Sequence, residues 1–144
     1  MEFIEQGYPK DQFLISNNAV ERLLKEWDKY DRLIVAYDFD HTVYDTDGTG
    51  ETYNQVIELL KECQNCGCTM IVFTCRPPEE YDFVKNHLDS VGLRYDYINE
   101  NVPDLDFKTS NKIYFSILFD DRAGLPSAYE TMVNVLYKRF NNRG

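Results

Sequence analysis

The sequence predicts an α/β domain on a doubly wound, Rossmann-like parallel sheet of four to five strands. Apolar runs at Leu33–Ala36, Met70–Phe73 and Ile113–Phe119, with a shorter one at Tyr95–Ile98, are brief and rich in β-branched or aromatic residues, as buried strands are. Segments with helical apolar spacing lie between most of them, which calls for parallel strands joined by right-handed crossovers. Acidic, hydroxyl and basic residues directly follow three of the four runs, where open parallel sheets bind their ligands.

The chain is 144 residues long, enough for one domain with a sizeable core. A hydrophobic share of 43% and an aromatic share of 15%, with eleven tyrosines, describe a folded protein rather than an acidic disordered one. Fifteen basic against twenty-five acidic side chains leave a net charge of −10, which disfavours nucleic acid and anionic membranes and favours a small substrate escorted by a metal. No apolar run has the length of a membrane span, and the start MEFIEQGYPK carries neither a basic region nor an apolar signal core, so a cytoplasmic location is expected. Cys63, Cys66, Cys68 and Cys75 are crowded together, a poor layout for a disulfide framework; Cys63 falls on a helical apolar face and Cys68 enters a strand, so they read as structural.

Residues 1–31 form an extension with one helix, and residues 32–140 the core of the single domain. The first helix is expected from Asn18, which stands three residues before Glu21 in capping-box spacing, with Ala19, Val20, Leu23, Leu24, Trp27 and Tyr30 as its apolar stripe. Strand one, Leu33–Ala36, runs into Asp38, Asp40 and Thr42. The polar stretch 44–53 has Asp45, Asp47 and Glu51 without EF-hand spacing, and reads as a solvated turn. Tyr53, Val56, Ile57, Leu60 and Cys63 then predict a helix ended by Gly67.

Strand two ends in Thr74, Cys75 and Arg76, and Pro77 and Pro78 open a helix with Tyr81, Val84, Leu88 and Val91 on one face and a stop at Gly92. His87 on that helix is expected to be at the surface or partly packed. After the short third strand, residues 99–111 are a polar connection beginning at the ligand-binding end. Lys112 precedes the fourth strand, IYFSILF, which ends in Asp120 and Asp121. A last helix from about Pro126 should turn Leu125, Ala128, Tyr129, Met132, Val133, Leu136 and Phe140 inward.

Two carboxylates so close together repel each other and resist burial without a cation or donors, so Asp38 and Asp40 ask for a divalent metal. The sheet gathers with them Thr42, Thr74, Arg76, Lys112, Asp120 and Asp121: a nucleophile, an acid, metal ligands, a hydroxyl and cations.

In this order the residues resemble the haloacid dehalogenase-like superfamily, specifically its DxDxT phosphatase branch, over residues 32–135. The resemblance implies Asp38 as nucleophile, Asp40 as general acid and base, Thr74 as the hydroxyl of the second motif, Lys112 (with Lys108 in reserve) as the lysine of the third, and Asp120 and Asp121 as the acidic pair of the fourth. It implies Mg²⁺ held by Asp38, the Asp40 backbone carbonyl and the acidic pair, with Thr42 and Arg76 on the substrate side; Arg76 either reaches the substrate or pairs with a neighbouring acid. The intervals 43–53 and 75–111 leave no room for the family's cap domain. Capless relatives act on bulky phosphates or close the site with a neighbouring copy, so a homo-oligomer is compatible. A fifth strand could come from the N-terminal lead-in.

The expected activity is hydrolysis of a small phosphorylated metabolite or nucleotide through an aspartyl-phosphate. The alternatives are a macromolecular phosphate as substrate, or a non-catalytic binding protein on the same fold. His41 replaces a commoner Gly of the family and is read as tolerated variation. Receiver domains use similar residues, but there the acidic pair follows the first strand and the lysine comes last, the reverse of this chain.

Overall fold

The computed structural model describes residues 11–141; of the N-terminal lead-in expected to offer a fifth strand, residues 1–10 lie outside the described residues and Gln12–Leu14 form a 3-10 turn. Four parallel strands, β1 (Ile34–Tyr37), β2 (Thr69–Val72), β3 (Tyr97–Ile98) and β4 (Ile117–Phe119), form one sheet in the order β3-β2-β1-β4. The helices are α1 (Ser16–Tyr30), α2 (Asn54–Asn65), α3 (Tyr81–Val91) and α4 (Leu125–Asn141). The chain steps outward from β1 to β2 to β3, then returns past β1 to place β4 on its other side. The strand order therefore reverses between β1 and β4, and the crevice outside their carboxyl ends is where such sheets bind ligands.

The two faces of the sheet are covered differently. Val35, Tyr37, Met70, Val72 and Phe119 point into a core shared with all four helices, which contribute Leu23, Trp27, Leu60, Leu88 and Met132. Ile34, Ala36 and Ile71 point the other way, and there the cover is the non-helical return from β3 to β4, through Val102, Leu105 and Ile113–Phe115. Alternate residues of each strand thus supply both layers.

This packing explains where the expected elements shift. The fourth strand is shorter than IYFSILF because Ile113, Tyr114 and Phe115 serve as cover for the second face and only residues 117–119 pair with β1. Helix α1 begins at Ser16, two residues before the expected start, and Ile15 at its N-cap supplies no side-chain bond. Asn18 instead donates its amide to the Gln12 carbonyl at 3.0 Å, so the capping box does not form. On α4, Met132 and Val135 are buried, whereas Val133 and Phe140, expected inside, are 41% and 51% exposed. Phe140 lies edge-on to Trp27 at the rim, 5.8 Å between centroids. Helix α3 occupies the expected span and stops at Gly92, whose φ of 78° is left-handed and suits glycine. Among the described residues no helix is long and apolar enough to cross a membrane.

Candidate active site

The Asp38 N–H donates to the Phe119 carbonyl at 2.8 Å, extending the pairing of β1 and β4 to the edge of the crevice. One strand then delivers Asp38 and the other Asp120 and Asp121. Each of these three offers a carboxylate oxygen within 4.8 Å of those of the other two, the one group of three or more His, Cys, Asp or Glu side chains so placed among the described residues.

The loop after β1 is wound to make this possible. The Phe39 carbonyl accepts from the backbone N–H groups of Thr42, Val43 and Tyr44, and the turn needs His41 at φ 61°. A left-handed conformation favours glycine over histidine, which gives a physical reason for a Gly preference there. Thr42 is fully buried, and its hydroxyl accepts from the Asp121 N–H at 3.2 Å. In place of the expected position on the substrate side, the structure shows Thr42 tying the β1 loop to the β4 loop from a buried position.

Burial first, then the charge of Asp120 and a hydrogen bond with Asp121, push the Asp38 carboxyl up to about 7. Positive charge brought to this cluster would favour the ionised form of Asp38. Three hard oxygen donors in a half-open crevice suit Mg²⁺ or a similar cation, so the residues fit the metal that the resemblance implies.

Asp40 has a different environment, and its carboxylate is not part of the cluster. It chelates the Arg76 guanidinium, Oδ1 accepting from Nη2 at 2.7 Å and Oδ2 from Nε at 3.0 Å, and Oδ1 also accepts from the Thr46 hydroxyl at 2.8 Å. The Arg76 bonds hold its carboxyl below the ordinary range. Arg76 also pairs with Glu80 at 3.2 Å and lies over the rings of Phe39, Tyr44 and Phe83. Of the two expectations for Arg76, pairing with a neighbouring acid is the one the structure displays.

Thr74 sits at the end of β2 with 8% exposure, its Oγ1 accepting from the Arg76 N–H at 3.1 Å, which leaves its own O–H to donate. Asn99, missed in the sequence, holds this end in place. Its Oδ1 accepts from the Thr74 N–H at 2.8 Å and its Nδ2 donates to the Thr74 carbonyl at 2.7 Å. The signal available beforehand was its residue type, since Asn is enriched at left-handed positions, and Asn99 adopts one with φ 53°.

Lys112 is not brought to Asp38. It is exposed and makes no ion pair among the described residues, and Lys108 shares its stretch of the covering connection. The cause is the short β4: with Ile113–Phe115 turned onto the sheet face, the lysine stays in solvent, its carbonyl accepting from Asn101 at 3.4 Å.

Asp45 closes the following turn by accepting from the Gly50 and Thr49 N–H groups. His87 is partly packed, edge-on to Phe39 and Tyr44. Cys63 and Cys68 are fully buried and Cys75 is exposed. The Cys63–Cys68 hydrogen bond pushes the Cys63 thiol up and the Cys68 thiol down. A cleft of about 410 Å³ lies under Ile34, Gly67 and Tyr114, at the opposite end of the strands from the carboxylates.

No family model matches the chain, and no curated protein does. Among solved structures, a conserved protein from Bacteroides thetaiotaomicron is similar, with 22% identity and a TM-score of 0.56 over 78% of this chain and 93% of that one. At that identity the likeness speaks for the fold.

Proposed function

We propose that this protein is a Mg²⁺-dependent phosphomonoester hydrolase of the haloacid dehalogenase-like type, acting in the cytoplasm on a small phosphorylated substrate. The observation that carries the reading is the convergence of Asp38, Asp120 and Asp121 at the switch point of the sheet. Asp38, Asp120 and Asp121 would hold the cation, which when bound supplies positive charge against both the carboxylates and a phosphate dianion. Asp38 attacks phosphorus as the bond to the ester oxygen breaks and the alcohol leaves, and water then cleaves the aspartyl-phosphate to free inorganic phosphate and the Asp38 carboxylate. The Thr74 hydroxyl donates to a transferring oxygen. Asp120 and Asp121 keep their orientation through the Arg122 N–H and the Thr42 hydroxyl.

The test is hydrolysis of 4-nitrophenyl phosphate by the purified chain with Mg²⁺ and after chelation. Release of nitrophenol that stops with the chelator and returns with Mg²⁺ is expected. Activity indifferent to the chelator contradicts the reading. The specific observation behind a second reading, a cation-binding protein without turnover, is that Asp40 is held by Arg76 and both lysines lie outside the cluster. Mg²⁺ binding with no hydrolysis of any phosphomonoester supports that one.

A further inference from the structure

Asp40 stands two residues beyond Asp38, where a donor for the leaving oxygen is expected, but both of its oxygens are engaged. Arg76 in turn has little freedom to let go. One edge of the guanidinium is chelated by Asp40, the other is held by Glu80 at 3.2 Å, and its centre lies 5.3, 5.6 and 5.1 Å from the ring centroids of Phe39, Tyr44 and Phe83. Withdrawing Asp40 would break two charge-assisted bonds and leave a cation of 20% side-chain exposure on the rings with the single bond to Glu80. Phe83 itself is 45% exposed, in the first turn of α3, at the same end of the sheet as the carboxylates.

Resting on the hydrolase reading above, we propose that Arg76 is a positioning residue that keeps Asp40 from serving the leaving oxygen, so that the site selects aryl phosphates. A phenolate departs without a proton, an alkoxide does not. The bond from Asp38 to phosphorus forms as the bond from phosphorus to the phenolic oxygen breaks. The electron pair leaves on the phenolate, and solvent protonates it. Water then attacks the aspartyl-phosphate phosphorus, regenerating the Asp38 carboxylate and releasing inorganic phosphate, and its surplus proton passes to solvent. The exposed Phe83 ring offers the aryl group a stacking surface.

The experiment compares kcat/KM for phenyl phosphate and benzyl phosphate in Mg²⁺ buffer. The two share a ring and differ in the acidity of the alcohol released. Because general acid catalysis contributes on the order of 10²–10⁴-fold, the wild type is expected to favour the phenyl ester by about 10²-fold or more. Arg76→Lys, which keeps the charge and stem but cannot chelate both Asp40 oxygens, should narrow that ratio by about tenfold by raising benzyl ester turnover. Glu80→Gln, at a half-exposed position, loosens Arg76 from its outer side and should narrow the ratio in the same direction, which keeps the test readable if Arg76→Lys does not fold. Benzyl phosphate hydrolysed within about tenfold of phenyl phosphate by the wild type overturns the inference and leaves the hydrolase reading standing. A ratio unchanged in the folded variants does the same. Failure to hydrolyse either ester overturns the hydrolase reading, and the inference with it.

Discussion

Asp38 and Asp40 are two residues apart in one loop, and their environments are opposite. Asp38 is half-buried beside two more carboxylates and is pushed up to about 7, whereas Asp40 is enclosed by a guanidinium and a hydroxyl and is held below its ordinary range. The difference comes from which strand each faces: Asp38 turns to the acidic end of β4, Asp40 to Arg76 after β2. Repulsion left unrelieved on one side is what a cation binds to, and charge already matched on the other is what fixes the loop.

The comparison can be broken most severely at Asp38. On the proposed reading, Asp38→Asn removes the nucleophile and one of three mutually repelling charges. Turnover of 4-nitrophenyl phosphate should fall by on the order of 10⁴-fold or more, while the melting temperature of the cation-free protein stays the same or rises. A variant that retains its rate assigns the nucleophile elsewhere.

A smaller effect is expected at the hinge between the two environments. Thr42→Val keeps the buried shape but leaves the Asp121 N–H without its acceptor, at a cost of about 1–2 kcal/mol in urea unfolding, with weaker Mg²⁺ binding as the acidic pair loosens. Unchanged stability and cation affinity would mean that the two loops are positioned independently. The smallest effect should come from His41→Gly, which relieves a left-handed φ of 61° and should stabilise the chain by up to about 1 kcal/mol. Destabilisation by that change would assign the His41 side chain a contact more important than the strain it carries.

How much of this was legible beforehand follows the range of the interactions. Strand cores and the stop of α3 are written in local pattern, so Val35, Met70 and Gly92 could be placed from neighbours alone. The convergence of Asp38 with Asp120 and Asp121 was also readable, because parallel connectivity puts every strand's carboxyl end on one side. The Asp40–Arg76 chelate was only half readable, since Arg76 is 36 positions away and its choice between substrate and acid depends on rotamers. The second face of the sheet was misread. IYFSILF has a strand's composition, and nothing local says that Ile113–Phe115 are needed as a lid over Ile34 and Ile71, which leaves Lys112 in solvent.

The most direct test of the central claim, that Asp38, Asp120 and Asp121 form a cation site whose repulsion a metal relieves, is the thermal melt with and without Mg²⁺ at two pH values. With the Asp38 folded-state carboxyl raised from 3.8 to about 7, the cation-free folded chain keeps a proton that the unfolded chain has lost, so this group's contribution to stability falls as pH rises from 3.8 to 7. The lowered Asp40 carboxyl acts in the other direction and only below about 3.8, as pH falls through its folded value, so it leaves that window undisturbed. At ten times its dissociation constant Mg²⁺ should add about 1.4 kcal/mol, roughly 4 °C, near pH 7.5. The gain should shrink near pH 5, where Asp38 holds its proton, and vanish in Asp121→Ala. Identical melts with and without Mg²⁺ at pH 7.5, or an undiminished shift in Asp121→Ala, would contradict it.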